Sequence, residues 1–351
     1  MRLNRRDFVA ASAATMALPM AGAFATEPPK PESIVVNNSG GAVGVALRKA
    51  FYDVFEKETG IRIVESSPMD FAKLRAMVES GNIEWALTEI DPEAVGLARR
   101  LNLLEPIDDS IVNRSTYPEQ YKAKDIFTDA VGAVILGYRT DVFKEGAHPK
   151  GWVDFWDVAK FPGPRALRNH PSGNIEFALI ADGVPMDKLY PLDLDRAFKK
   201  LDEIKKNISV WWESGAQAVQ LILDKEVVLV TTWNGRFTDV LRKDPNAPVA
   251  IEWTQAMAID GTYAIPKGAK DAYWAQRLLA VMADPERQAI YAAEIPYPSP
   301  NPEMLKHLDP ALLDSMPSAP QNMSKMFRSN YEWWDEHAAT TLERWNAWIL
   351  T

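Results

Sequence analysis

The stretch that decides the fold is Ile34-Val-Val36, Asn37-Asn-Ser-Gly-Gly41, the segment 43–59, Gly60 and Ile61-Arg-Ile-Val64. The first three residues form a short apolar run typical of a buried strand, and a turn follows them. Apolar residues in the third segment recur with a period near 3.6, which predicts a helix that ends at the glycine before a second strand. Ligands of open α/β sheets bind beyond the carboxyl ends of the strands. We therefore expect the first turn to lie at a ligand-binding edge.

The same alternation of short apolar runs and amphipathic segments continues along the chain. Further strands are predicted at 85–87, 131–136, 164–167, 227–232 and 256–264. Further helices are predicted at 71–80, 92–100, 152–158, 175–181, 195–206, 216–223, 269–282, 285–293 and 327–348. This order predicts an α/β fold.

Residues 1–25 have the three parts of an export signal. Arg5-Arg6 form a basic region, the run 9–22 is apolar, and Ala23-Phe-Ala25 is a small-residue cleavage site. The pattern predicts a twin-arginine signal peptide, a mature chain that begins near Thr26, and a periplasmic location. The apolar run is too short for a bilayer of about 30 Å, and no later run approaches about 18 uninterrupted apolar residues. The mature protein is therefore expected to be soluble.

Composition limits the partners and the chemistry. Loss of the leader, with three arginines and one aspartate, takes the formal charge from -9 to -11, which argues against nucleic acid as a partner. The remaining length of about 325 residues favours two packed units. The absence of cysteine excludes disulfides, thiolate nucleophiles and iron–sulfur clusters.

The sequence offers no enzyme motif. The four histidines are scattered, and neither a Gly-x-Ser-x-Gly string nor a phosphate-binding glycine loop occurs. We therefore expect no catalytic residue, no metal site and no cofactor. Twelve tryptophans, several of them paired, supply apolar anchors and ring faces that attract cations.

Two strand-to-helix turns carry polar side chains, each of which has two possible roles. Asp91 follows the strand 85–87 and precedes Pro92, so it can contact a ligand or cap the next helix. Ser39 likewise can contact a ligand or satisfy the first turn of the helix that follows it.

Four motifs together identify a family. They are Phe-Glu-Lys-Glu-Thr-Gly-Ile at 55–61, Thr-Trp-Asn-Gly-Arg at 232–236, Thr-Tyr-Ala-Ile-Pro at 262–266 and Ile-Pro-Tyr-Pro-Ser-Pro-Asn at 295–301. In this order, behind an export signal, they resemble the extracellular solute-binding proteins of ABC importers, and among these the spermidine/putrescine-binding branch. The resemblance covers essentially the whole mature chain.

The resemblance implies a monomeric receptor with the type II periplasmic binding fold. Each of its two lobes would be a mixed sheet flanked by helices, and a hinge would join them. Lobe 1 would comprise 33–138 and 261–300, and lobe 2 would comprise 139–260 and 301–351. Closure around a solute is a population shift driven by contacts that both lobes make only when shut. The receptor would deliver the solute unaltered to an ABC permease.

The resemblance also implies a set of ligand-binding positions. In polyamine receptors, aromatic faces sandwich the methylene chain, and carboxylates pair with the ammonium groups. The positions that match are Asn38 and Ser39 in the first turn, Trp211 and Glu213 in a lobe 2 segment near the cleft, Trp233 and Tyr297.

Three departures from the polyamine-binding pattern argue against a long diamine. Where those receptors have an aromatic residue and an aspartate, this chain has Ile259 and Gly261, with Asp260 between them. The segment 168–174, Arg-Asn-His-Pro-Ser-Gly-Asn, lacks the paired acids, and the first turn lacks aromatic residues.

The remaining charges fit a polyamine or a zwitterion such as an ω-amino acid. The acids available to an ammonium group, above Trp233, are Asp260, Glu213 and Glu176. The groups available to a carboxylate are Arg236, Arg168 and His170. Arg236 can equally be a surface charge at a helix start.

Several other functions stay open at this point. A ferric-ion receptor of the same fold typically uses adjacent tyrosines, and no Tyr-Tyr pair occurs here. The sequence also leaves open an organic-anion receptor of the same fold, an exported enzyme and an envelope scaffold.

Overall fold

A computed structural model describes residues 27–144 and 146–351. The predicted export signal at 1–25 lies outside these residues. The chain divides into the unit Met1–Lys30 and the unit Pro31–Thr351. In the first unit, the described residues 27–30 carry no helix or strand. The second unit holds all the elements below.

The described residues form ten strands in one mixed sheet. These are β1 (Ser33–Asn37), β2 (Arg62–Ser66), β3 (Trp85–Glu89), β4 (Leu104–Glu105), β5 (Phe127–Arg139), β6 (Arg165–Arg168), β7 (Ile208–Trp212), β8 (Leu229–Trp233), β9 (Val249–Pro266) and β10 (Phe327–Arg328). The order across the sheet is β2-β1-β3-β9-β5-β8-β6-β7, and β4 and β10 also pair with β9.

Helices cover this sheet. They are α1 (Gly41–Leu47), α2 (Asp53–Thr59), α3 (Phe71–Ser80), α4 (Val95–Arg100), α5 (Trp152–Trp156), α6 (Pro171–Ala181), α7 (Leu194–Lys205), α8 (Gly215–Leu223), α9 (Asn234–Lys243), α10 (Ala272–Met282), α11 (Pro285–Glu294), α12 (Pro310–Leu313), α13 (Pro320–Met323) and α14 (Tyr331–Ile349). A π-helical turn, Arg48–Tyr52, joins α1 to α2. Short 3-10 turns lie at Pro92–Ala94, Glu119–Tyr121, Met186–Lys188 and Pro302–His307.

Two long antiparallel strands, β5 and β9, form the centre of the sheet. They pair from Phe127 opposite Tyr263 to Arg139 opposite Val249. β3 pairs with β9 near one end of this ribbon, and β8 pairs with β5 near the other end. The parallel strands β1, β2 and β3 therefore lie on one side of the ribbon, and β6, β7 and β8 lie on the other side.

The buried side chains of the ribbon change partners along its length. In β5, residues up to Val131 belong to a core with the helices near the amino terminus and α10. From Ala133 onward the strand belongs to cores built on α5 to α9 and α14. In β9 the change falls between Met257 and Tyr263. The exact boundaries of two lobes stay a prediction.

Most predicted elements are present. The helix predicted at 71–80 has those bounds because Asp70 caps it through Lys73 N and Gly81 ends it with a left-handed φ of 72°. The prediction was wrong in omitting the strands β4, β7 and β10 and the helices α9, α12 and α13, and in starting the last helix at 327, where β10 lies. In α9, Phe237, Val240 and Leu241 have helical spacing, so the sequence contains the signal for this helix.

Two kinds of feature are absent from the described residues. No helix among them has the length and apolarity needed to cross a membrane. No group of three or more His, Cys, Asp or Glu side chains in this part of the chain is arranged to hold a metal ion.

Candidate functional site

A cavity of about 350 Å³ lies where the strand ends of the two sides meet. Residues at or just after the carboxyl ends of β1, β3, β6 and β8 line it, and parts of β5 and β9 form its floor. The carboxyl ends of parallel strands provide a binding edge because backbone groups and side chains of the following loops converge there. The position agrees with the edge that the first turn predicts.

Five carboxyl groups line one part of this cavity, and we call them the acidic wall. They are Glu89, Asp91, Glu93, Asp129 and Asp260. All five come from β3, the turn after it, and the central strands β5 and β9. Like charges in one partly desolvated space repel one another and favour the protonated forms.

Glu89 ends β3 and is held by the first turn. Its Oε2 accepts hydrogen bonds from Ser39 N (2.6 Å) and Ser39 Oγ (2.5 Å). Burial nevertheless raises the pKa of Glu89, and the charge of Asp91 adds to the shift. Ser39 therefore contacts the cavity and also orients an acid of its wall.

Glu93 joins the two sides of the cavity. Its Oε1 accepts a hydrogen bond of 2.7 Å from Ser172 Oγ at the start of α6. Burial and the charge of Asp91 raise the pKa of Glu93 to about 7. Asp91 accepts a hydrogen bond from Glu93 N (3.0 Å), so it caps the turn Pro92–Ala94 and lines the cavity as well.

Asp260 has its own cation. Arg328 donates a hydrogen bond to its Oδ2, whereas Oδ1 is buried without a partner among the described residues. Its backbone N donates to the hydroxyl of Tyr331 (3.1 Å). Burial raises the pKa of Asp260 to about 6, against the opposing effect of Arg328.

Asp129 has no cation of its own. It is 7% exposed, and its Oδ1 has no hydrogen-bond partner among the described residues. Burial, followed by the charge of Glu89, raises its pKa to about 8. Its carboxyl group lies beside Gly261, where an added Cβ would meet Oδ1 at 2.6 Å. A glycine at 261 therefore leaves the space that this carboxyl group fills.

A β-bulge brings Asp129 to the cavity. The pairing of β5 with β9 shifts register between Thr128 and Ala130, so Asp129 has no partner opposite it. Alternate residues of β5, Ala130, Gly132 and Val134, line the cavity. A regular strand would direct residue 129 to the other face, and the bulge re-aims it.

Arg168 and Trp233 form the opposite part of the cavity, which we call the basic wall. The guanidinium of Arg168 lies over the Trp233 ring, 5.2 Å from the centroid. Within the described residues the guanidinium donates no hydrogen bond and forms no ion pair; burial lowers the pKa of Arg168, and the charges of Glu93 and Asp91 oppose this. Its planar set of N–H donors therefore remains available to a carboxylate.

His170 lines the same wall as a neutral group. Its Nδ1 accepts a hydrogen bond from Ser172 N (3.2 Å) and so caps α6. Burial, followed by the charge of Arg168, lowers the pKa of His170 to about 4. Arg168 is then the one permanent cation among the described residues that line the cavity.

Glycines position the aromatic rings. A Cβ at Gly235 would lie 2.5 Å from Cζ of Tyr297, and a Cβ at Gly132 would lie 3.2 Å from the same ring. A Cβ at Gly215 would meet the Trp233 ring at 2.6 Å. These close approaches fix both rings at the cavity, where burial also raises the pKa of Tyr297 to about 12.

Asn234 holds the two rings in register. It is fully buried; its Oδ1 accepts a hydrogen bond from Ala133 N (2.8 Å), and its Nδ2 donates one to Pro296 O (3.0 Å). This side chain ties the strand that carries Trp233 to β5 and to the segment that carries Tyr297. The asparagine of the Trp-Asn-Gly motif therefore has a structural role, because it links these segments.

Five of the nine positions proposed for the ligand line the cavity. They are Ser39, Asp91, Trp233, Asp260 and Tyr297. Whether they contact a solute stays a prediction.

The remaining four positions do not line the cavity. Asn38 is buried, and its side chain bonds Glu65 and Gly40 N. Trp211 packs edge-on against Trp345 and Trp348. Glu213 and Arg236 are exposed. Arg236 lies near Trp233 and Tyr297 without reaching the wall.

Two groups of the acidic wall, Glu93 and Asp129, were not predicted from the sequence. Glu89 lies in the predicted ligand-edge loop 88–91 but was not among the proposed ligand-binding positions, and Glu93 follows that loop directly, so its position could have been predicted. Asp129 could not, because strand alternation places it on the other face. Glu176 was a candidate, but its carboxylate accepts hydrogen bonds from Tyr190 (2.6 Å) and Trp334 (2.7 Å) in the core.

The fold and the cavity define an α/β protein that binds a small solute at the meeting point of two sets of strand ends. The family described as bacterial extracellular solute-binding protein matches residues 50–321. The chain belongs to this family, as the motifs predicted.

Individual relatives give the same result. A gamma-aminobutyric acid-binding protein of Pseudomonas aeruginosa is 31% identical over 329 residues, covering 90% of this chain and 91% of that protein. A spermidine/putrescine-binding periplasmic protein of Haemophilus influenzae is 24% identical, covering 75% of this chain and 76% of that protein.

Solved structures agree with the fold. The structure of the Atu4243-GABA receptor superimposes with a TM-score of 0.83 at 34% identity, covering 90% of this chain and 97% of that chain. The structural neighbours are two-lobed periplasmic binding proteins, and the predicted fold class is confirmed.

Proposed function

We infer that this protein is the periplasmic receptor of an ABC importer and that its solute is a small zwitterion with a separated amine and carboxylate, an ω-amino acid. The observation that carries this inference is the division of the cavity into an acidic wall and a single unpaired guanidinium, Arg168. Opposite charges on one small molecule satisfy both walls at once.

The separation of the walls favours an ω-amino acid over an α-amino acid. Trp233, beneath Arg168, pairs with Val134 on β5. Asp129 lies five residues earlier on that strand, at the bulge. The guanidinium and the Asp129 carboxyl group are therefore presented from different parts of β5. This arrangement suits a solute whose charges are separated by methylenes better than one with both charges on one carbon.

The relatives support the same solute class. One is named for gamma-aminobutyric acid, an ω-amino acid, and others are named for spermidine and putrescine, which are amines. A primary amine is common to all of these, and the carboxylate distinguishes the first. Arg168 supplies the group that a carboxylate requires.

Binding without catalysis is supported by the relatives, which are named for the solutes that they bind. In the cavity, His170 is neutral and caps a helix, and Asp260 is paired with Arg328. The receptor closes by bringing its two walls onto one guest and releases it unaltered to the permease. It acts as a monomer after export through the twin-arginine pathway.

Titration calorimetry of the mature protein with four probes tests this function. We expect the strongest binding for 4-aminobutanoate, weaker binding for putrescine and for butanoate, and no detectable binding for 2-aminobutanoate. Loss of either charged group of the zwitterion should cost about 10-fold or more. Equal affinity for 4-aminobutanoate and butanoate would contradict the role of the acidic wall.

A diamine is the second candidate, and the excess of acids over bases in the cavity favours it. Five carboxyl groups face one arginine and a neutral histidine. If putrescine binds more tightly than 4-aminobutanoate in the same experiment, the receptor is a diamine receptor and Arg168 has a structural role.

A further inference from the structure

The floor of the cavity contains a carboxyl group, that of Asp129, with one buried oxygen that accepts no hydrogen bond from the described residues. Asp129 is 7% exposed, and the oxygen is Oδ1. A buried polar atom in this state destabilises the fold, because it has lost its bonds to water without replacing them. Buried polar atoms are normally hydrogen-bonded, so Oδ1 is open to a donor that the described residues do not supply, such as a solute.

The described titratable groups around Asp129 do not include a cation that could pair with it. The titratable groups that act on it are Glu89 from β3, Asp260 and Tyr263 from β9, Tyr291 from α11, and Tyr117. All are acidic or neutral.

Two arginines of the surrounding segments pair with other acids. Arg328 binds Asp260 through one nitrogen and keeps Nη1 without a partner among the described residues, and Arg114 donates to Asp109 and to the carbonyls of Ala123 and Ile126. The site therefore has a surplus of negative charge and acceptors, and the chemistry that complements it is a cation with N–H donors.

Three further acids of the wall already accept hydrogen bonds from other side chains of the protein. Glu89 is held by Ser39, Glu93 by Ser172 and Asp260 by Arg328. Asp129 alone combines a free, buried oxygen with the absence of a cation among the described residues. The bulge at Thr128/Ala130 and the missing side chain at Gly261 both serve to bring it to the floor.

We propose that Asp129 is the residue that binds the ammonium group of the solute, through Oδ1, with Glu89 and Asp260 supplying the negative field around it. This assignment rests on the proposed function. It fixes the orientation of the guest: the amine points to the floor between β5 and β9, and the carboxylate points to Arg168 over Trp233.

Proton release accompanies this contact. Burial and the charge of Glu89 raise the pKa of Asp129 to about 8, so at neutral pH the carboxyl group mostly keeps its proton. An ammonium ion favours the ionised carboxylate. The carboxyl proton passes to the buffer, and a salt bridge replaces the O–H bond. Binding of an amine therefore tightens as the pH rises from about 6 towards about 8.

The test is titration calorimetry of the mature protein and its Asp129→Asn variant with 4-aminobutanoate, putrescine and butanoate. The asparagine has the same shape, and thermal melting checks that it folds. We expect a loss of about 10- to 100-fold for both amines and little change for butanoate. Asp187→Asn, an exposed aspartate outside the cavity, is the matched control and should bind as the wild type does.

A second measurement needs no variant. Titrations of the wild type in buffers of different ionisation enthalpy count the protons released on binding. We expect release near neutral pH with both amines and none with butanoate. Absence of release, or an Asp129→Asn protein that binds amines as well as the wild type, would overturn the assignment.

The same measurements separate the solute class from the role of Asp129. If putrescine binds and 4-aminobutanoate does not, the zwitterion is wrong, and weaker putrescine binding by Asp129→Asn still supports the ammonium site. If 4-aminobutanoate binds and Asp129→Asn leaves its affinity unchanged, the function stands and the role of Asp129 falls. Failure of both amines to bind the wild type would overturn both.

Discussion

The two walls of the cavity are built by opposite means. The acidic wall uses five carboxyl groups, and the protein supplies donors to most of them: Ser39 to Glu89, Ser172 to Glu93 and Arg328 to Asp260. The basic wall uses a single guanidinium, placed on a tryptophan face and left without a hydrogen bond from the described residues.

This difference teaches that charge count and binding capacity are separate properties. The acidic wall holds most of the charge, but much of its hydrogen-bonding capacity is used internally. The basic wall holds one charge with its full capacity unused. The choice of solute then depends on the few charged groups that the protein leaves without hydrogen-bond partners. It does not depend on the total number of charged groups.

Replacing Arg168 should have the largest effect, because it removes the basic wall. We expect Arg168→Gln to weaken 4-aminobutanoate binding roughly 100-fold and to change putrescine binding much less, since a carboxylate loses its charged donors. Calorimetry measures both. Arg236→Gln is the comparator, because Arg236 is exposed outside the cavity. A larger loss for Arg236→Gln would move the carboxylate site to α9.

Removing the ring beneath the guanidinium should have the next largest effect. Trp233→Ala deletes the face on which Arg168 lies and part of the cavity wall, so we expect about 1–3 kcal/mol weaker binding. Trp211→Ala is the matched control, because Trp211 packs on Trp345 and Trp348 instead. It should reduce the melting temperature and preserve affinity. Equal affinity losses in the two variants would mean that general stability, and not the wall, is responsible.

The acidic wall should make the ligand-free protein less stable as the pH rises. Burial raises the pKa of Glu93 to about 7 and of Asp129 to about 8, above their unfolded values. Such groups stabilise the fold fully below the unfolded pKa, and this contribution is lost as the pH rises through the folded pKa. The melting temperature should therefore fall between about pH 6.5 and about pH 8.5.

Two variants and one opposing group sharpen that test. Glu93→Gln and Asp129→Asn should flatten the slope, because each removes a group that ionises in this range. His170, with its pKa lowered to about 4, acts in the opposite direction but only below about pH 6.5, where its unfolded form gains a proton. A melting temperature that rises across the range would contradict the buried acidic wall.

The link between the walls should have the smallest effect. Ser172→Ala removes the 2.7 Å hydrogen bond from Ser172 Oγ to Glu93, and we expect about 0.5–1.5 kcal/mol lower affinity. Ser324→Ala, at an exposed hydrogen bond of 3.3 Å, is the control. An unchanged dissociation constant for Ser172→Ala would show that this contact does not contribute to binding.

Much of the fold and about half of the candidate site were predictable from local patterns. Ser39, Asp91 and Trp233 follow strands in the sequence, and strand ends of an α/β sheet meet at one edge. The helix α9 was missed because its polar composition masks the spacing of Phe237 and Val240, although the periodicity is present.

The remaining part of the site depends on geometry between distant segments. Asp129 reaches the floor because β5 bulges against β9 and because residue 261 lacks a side chain. Alternation along one strand predicts the opposite face for this residue. The free guanidinium of Arg168 was likewise only one of three candidates, since a sequence does not reveal which cation keeps its donors unoccupied.

The ribbon of β5 and β9 has a consequence for how the molecule melts. Each strand supplies buried side chains to cores on both sides of the sheet. If one half unfolds, the two central strands lose part of their packing, and the core of the other half is disrupted as well. Heat should therefore unfold both halves as one cooperative unit, and a scanning calorimeter should record a single peak with equal calorimetric and van't Hoff enthalpies.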